Sequence, residues 1–156
     1  MTAIFGGPFW GKAAQMGVKM LDGRILDQSS LTLPREEIIP LMRTPHPNEG
    51  QSPTDIVGRI EHMWYGDESG LQVIYFDGHW LKGHENWLKE HPEHRWPALF
   101  AVGVDFEFEE DGGVTHIVNG RVRALTLSDR ESWLGSTSTF IWSVPLPKAL
   151  ENRGGF

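Results

Sequence analysis

Apolar and polar positions alternate along residues 98–110, ALFAVGVDFEFEE. Val102, Val104, Phe106 and Phe108 fall on one side of an extended chain, and Ala101, Gly103, Asp105, Glu107 and Glu109 on the other. The pattern predicts a strand that buries an apolar face and presents a small-then-acidic one. Elsewhere the same period predicts a hairpin over 18–27 with Asp22-Gly23 at its tip, and a second that joins 55–65 to 71–76. Strands are also expected over 114–118, 121–127 and 139–144, with turns at Asp111-Gly112-Gly113 and Asn119-Gly120.

The period changes in three places. Trp80, Leu81, His84, Trp87 and Leu88 share one face if 79–90 is helical, and Pro92 limits its continuation. Pro34, followed by Glu36 and Glu37, suits the first turn of a short helix that Pro40 ends. Ser128-Asp129-Arg130-Glu131 has capping-box spacing and predicts a helix ending by Gly135. Residues 43–53 hold three prolines and read as a loop or extended connection, with His46 inside it. Residues 1–17 set four glycines and a proline among Ile4, Phe5, Phe9 and Trp10, which predicts an arm without regular structure, packing on its own domain or on a second copy. The domain plan is therefore an arm (1–17), one α+β domain (18–144) with a largely antiparallel sheet or barrel, and a tail (145–156).

Composition narrows the setting. A chain of 156 residues, 39% hydrophobic and 22% charged, suffices for one domain with its own core. No stretch approaches the roughly 18 consecutive apolar residues of a membrane span, and the amino terminus lacks signal-peptide design, so a cytoplasmic protein is expected. The absence of cysteine excludes disulfides, thiolate nucleophiles and cysteine zinc sites. A formal charge of -7 argues against nucleic acid as the main partner. Seven tryptophans fit large aromatic contact surfaces, in the core or at a subunit interface.

Three chemistries are open to these residues. Serine proteolysis needs an activatable hydroxyl beside a base; His46 is the candidate base, with Glu107, Glu109 or His116 as orienting partner. Ser128 reads as a helix cap, while Ser132, Ser136 and Ser138 lie in a polar turn region without a nucleophile elbow. Metal binding would draw on His79, His84, His91 and His94, but the spacing does not match paired ligands one helical turn apart, and neither metal nor cofactor is expected. Asp105, Glu107 and Glu109, about 7 Å apart in succession, form a carboxylate row suited to acid/base chemistry or to a solvated face.

The segments Thr44-Pro45-His46-Pro47, 98–110 and Asn119-Gly120-Arg121-Val122-Arg123-Ala124-Leu125-Thr126-Leu127, taken in this order, resemble the head-maturation (prohead) proteases of tailed bacteriophages. The resemblance runs from about Leu33 to Leu134. It implies a fold similar to herpesvirus assemblin, with a serine nucleophile on a central strand and a histidine base. His46 matches the histidine. The serine position is occupied by Ala101 or Gly103, depending on alignment, and neither can attack a carbonyl. The resemblance implies a phage head-morphogenesis protein whose catalysis has given way to binding, as a capsid-associated or decoration component. Its partners would be the major capsid protein or other head proteins, or a second copy met through the arm. It would reside in the host cytoplasm during assembly and then in the virion. The alternative is a capsid-maturation serine protease held inactive by alanine in place of serine.

Overall fold

The computed structural model describes residues 5–19, 23–43, 56–90, 92, 96–99, 107–128 and 140–150. In chain order the strands are β1 (Phe5–Gln15), β2 (Ile25–Leu26), β3 (Leu31–Thr32), β4 (Ile39–Arg43), β5 (Ile56–Glu68), β6 (Leu71–Leu81), β7 (Trp96–Leu99), β8 (Glu107–Asp111), β9 (Val114–Arg121), β10 (Leu125–Ser128) and β11 (Phe140–Trp142). Among the described residues, helix is confined to α1 (Trp87–Glu90) and a 3₁₀ turn at Lys148–Leu150. The fold is mostly β, and the described residues hold less helix than the sequence pattern predicts for them.

Seven strands form one sheet in the order β11-β1-β6-β5-β4-β10-β7, antiparallel at every junction except β4–β10. The sheet curls until β7 comes back against β1 and β11. A smaller sheet is built on β9, with β8 antiparallel on one edge and β2 and β3 parallel to it. Its apolar side chains Leu26, Leu31, Ile117 and Val122 join Phe9, Ile60, Phe76 and Trp80 of the large sheet in a single core. Phe9 sits at the centre of that core, edge-on to Phe76 at 6.1 Å and tilted on Trp80 at 4.9 Å.

The opposite face of the large sheet carries a second cluster, Trp10, Trp64, Val73 and Tyr75, on which Phe140, Leu146 and Leu150 pack. Lys12 lies in this face and is almost fully buried. Its ammonium is 2.8 Å from Glu68 Oε1 and 5.7 Å from the centre of the Phe140 ring. The Tyr75 hydroxyl donates to the other oxygen of Glu68.

Two hairpins agree with the sequence. β5 and β6 are joined by Ser69-Gly70 with φ of 55° and 82°, and β8 and β9 by Gly112-Gly113 with φ of 59° and 83°. Positive φ at both central residues is the type I′ geometry that matches strand twist. Of the expected 18–27 hairpin, an antiparallel bridge Lys19↔Ile25 is described, and residues 20–22 lie outside the described set. The last strand is present as β11.

Four expectations are corrected. The glycine-rich amino terminus is no irregular arm: Phe5–Gln15 is an inner strand between β11 and β6. Its glycines permit close approach, since a Cβ at Gly11 would stand 2.2 Å from the Phe140 carbonyl oxygen. No helix follows Pro34; Glu36 takes a φ of 58° and the chain enters β4, where Pro40 lies beyond the part paired with β10. The helix over 79–90 shrinks to α1, because Trp80 pairs with Gly58 and Leu81 with Phe5 as the end of β6, and a turn at Lys82-Gly83 intervenes. Asn119-Gly120 is not a turn: β9 runs through it, and Gly120 pairs with Leu31. Ser128 closes β10, and the helix expected from it falls on residues 129–135, which lie outside the described set.

Candidate functional site

β5 carries a bulge between Ile60 and His62, opposite Gly78 and Asp77 of β6. In a regular strand, adjacent residues such as Glu61 and His62 point to opposite faces; an extra residue re-aims one of them. Here both reach β6. The His62 ring nitrogen Nδ1 is 2.6 Å from Asp77 Oδ1, and His79 Nδ1 is 2.6 Å from Glu61 Oε1. A carboxylate only accepts, so each Nδ1 carries the hydrogen and donates it, which leaves Nε2 as the basic nitrogen of each ring. Arg59 closes the cluster with two bonds of 3.0 Å to Glu61 Oε2, from Nε and Nη2.

Two cavities meet at this bulge. One, of about 510 Å³, is lined by Pro8, Phe9, Gly78, His79, Pro145 and Leu146 together with Glu61, His62 and Asp77. The other, of about 910 Å³, runs between residues 32–36 and residues 61–65 of β5. Glu61 and His62 border both. The carboxylates are the more buried partners: side-chain exposure is 51% for His62 against 11% for Asp77, and 41% for His79 against 22% for Glu61. The less exposed carboxylates therefore orient the more exposed imidazoles. This arrangement can accept or deliver a proton at Nε2, or donate a hydrogen bond to a bound group. The described lining of the smaller cavity contains no serine or threonine.

A third histidine–carboxylate pair stands on the small sheet. His116 of β9 bonds through Nδ1 to Asp27 Oδ1 at 2.6 Å, and Glu109 of β8 is its cross-strand neighbour. The Asp27 hydrogen bond raises the His116 pKa above the usual imidazole value; desolvation opposes the rise, and the charges of Asp27, Asp111 and Glu109 add to it.

Of the sequence candidates, the structure thus brings His116 and Glu109 together. Glu107 is opposite Asn119, two positions further along β8, and is exposed. His46, Ala101, Gly103 and Asp105 lie outside the described residues. The expected apolar face of the 98–110 strand is not buried at Phe108, which is 50% exposed and covered by the Arg24 guanidinium 5.7 Å from its ring centre. Among the described residues no group of three or more histidines and carboxylates is placed to hold a metal ion.

The Glu61–His62–Asp77–His79 cluster is absent from the sequence reading. Asp77 and His79, two apart in what proves to be a strand, were a legible signal once residue 79 was taken out of the helix. The bulge that recruits Glu61 beside His62 has no signature in the sequence. No family model matches the chain, and neither curated proteins nor solved structures give a match.

Proposed function

We propose that this chain is a tailed-phage head-morphogenesis protein on a prohead-protease-like scaffold, acting as a capsid-associated or decoration component and not as a peptidase. The observation that carries the reading is the order of three sequence segments, around His46, 98–110 and 119–127, with Ala101 and Gly103 where the resemblance requires serine. A mostly β chain with a curled seven-stranded sheet is compatible with the barrel that the resemblance implies. The exposed indole of Trp142 and the exposed side chains of Val144, Ile38 and Phe108 offer apolar contact to neighbouring head proteins.

The test is quantitative mass spectrometry of immature and mature heads, counting this chain against the major capsid protein. A fixed copy number in mature heads is the expected result. Absence from both kinds of particle overturns the reading.

Ala101 favours one alternative, a maturation protease inactive for want of a single oxygen. Full-length Ala101→Ser and Gly103→Ser chains, incubated with a serine-directed phosphonate probe, distinguish the two. Labelling or self-cleavage of either variant identifies a surviving protease site; inert variants leave the binding role.

A further inference from the structure

β5 outruns its neighbour. β4 pairs with β5 from Ile56 to Ile60, whereas β5 continues to Glu68 along β6. Beyond Ile60, no described strand pairs with β5 on its β4 side. The residues that precede β4, 33–38, are not a strand, and residues 32–36 form the far wall of the 910 Å³ groove.

The direction of the main chain along this stretch follows from the hairpin. A two-residue I′ turn is closed by a hydrogen-bonded pair, here Glu68↔Leu71, and such pairs alternate along an antiparallel ladder. Gln72, in the next pair, uses its carbonyl to accept from Met16 of the β1 side at 2.7 Å, so it turns away from β5 as the alternation requires. Its partner Asp67 therefore turns away from β6, and with it Tyr65 and Met63. The N–H and C=O groups of Met63 and Tyr65 point into the groove that residues 61–65 line.

The groove runs along five strand residues of β5, 61–65, a length of about 17 Å. The side walls are apolar at Leu33, Pro34 and Met63. Among the described lining residues Glu36 stands beside Arg35, and Glu61 is already held by Arg59 and His79, so charge does not select the occupant.

We propose that this groove binds an extended peptide segment of another protein, which adds as a strand to the Met63–Tyr65 edge of β5 and lays apolar side chains on the Leu33, Pro34 and Met63 wall. Main-chain hydrogen bonds supply the affinity, and the apolar wall supplies the preference. The inference does not rest on the phage reading.

The probe is an acetylated seven-residue peptide of alternating valine and lysine, titrated into the full chain. A second version carries N-methyl groups on alternate residues, which keeps its charge and removes its donors. The unmethylated peptide is expected to bind saturably, and methylation to weaken it at least tenfold. Amide exchange at Met63 and Tyr65 is expected to slow at least tenfold in the complex. No binding up to millimolar peptide, equal binding of the methylated form, or protection confined to other strands overturns the proposal.

Discussion

The large curled sheet and the small sheet on β9 share one core yet are held together differently. Inner positions of β1, β5 and β6 form a wholly buried layer, with Phe9, Phe76, Val57 and Ile74 at zero exposure. In β8, all five residues are exposed, and β2 and β3 contribute two residues each. Besides Leu26, Leu31, Ile117 and Val122, the small sheet is held by ladder bonds, a cation over Phe108, the Asp27–His116 pair and the Tyr65 hydroxyl, which bonds the N–H and C=O of Leu31. Burial of apolar surface is the larger quantity, so the small sheet is expected to open before the large one.

Truncation of one phenylalanine in each region breaks the comparison most sharply. Phe76→Ala removes a fully buried ring from between Phe9 and its neighbours, at a cost of about 3–5 kcal/mol. Phe108→Ala removes a ring that is half in water and held by one guanidinium, and should cost less than about 1 kcal/mol. Urea unfolding of both variants measures the difference. Equal losses would mean that β8 is as tightly integrated as β6.

Next in size is the ion pair on the aromatic face of the large sheet. Glu68→Gln leaves the Lys12 ammonium buried against Phe140 without its counter-charge. A fully buried partner would be worth more, but Glu68 is 44% exposed and water screens the pair, so a loss of about 1–2 kcal/mol is expected. The same pair sets an acid limb. The Lys12 hydrogen bond lowers the Glu68 pKa below its ordinary value of 4.5, against desolvation and with help from the Lys12 charge and the Tyr75 hydroxyl. A depressed carboxylate contributes stability above its unfolded pKa and loses it as pH falls through the folded one. The gap between wild type and Glu68→Gln should therefore be full at pH 6 and close below pH 4.5; a gap constant down to pH 2 would assign the loss to packing alone.

The same contrast explains how far the sequence could be read. Hairpin tips were legible because Ser69-Gly70 and Gly112-Gly113 take a backbone conformation that few residues adopt. The strand character of 107–111 and 114–118 was legible from alternation. The 79–90 helix was misread because Trp80 and Leu81 satisfy both periods, and only their pairing with Gly58 and Phe5 decides between them. Gly6, Gly7 and Gly11 look like breakers, yet all three lie in an inner strand, and Gly11 lets it pack closely on β11, a property of the neighbours and not of the segment. For the candidate site the gap is wider. His116 and Glu109 were singled out and meet across a ladder, but their partner Asp27 comes from a distant strand end, and Glu61, His62, Asp77 and His79 converge through a bulge that sequence periodicity cannot register.

The smallest effect tests the small sheet on its own terms. Asp27 ties the end of β2 to β9 through His116, whose pKa is raised above 6.5, chiefly by that hydrogen bond. A group with a raised folded pKa contributes stability that is complete below its unfolded value and is lost as pH rises through the folded one. The pair should therefore hold β2 on β9 at pH 5.5 and let go at pH 8.5, a trend opposite in sign to that of Lys12–Glu68. Amide exchange at Asp27, whose N–H bonds the Ile117 carbonyl, reports this locally. After correction for intrinsic exchange, its protection should fall between those two pH values in the wild type and stay flat in His116→Gln, while the amide of Phe76 keeps its protection in both. A parallel fall in the variant would place the pH response elsewhere and leave β2 held on β9 by its ladder and apolar contacts.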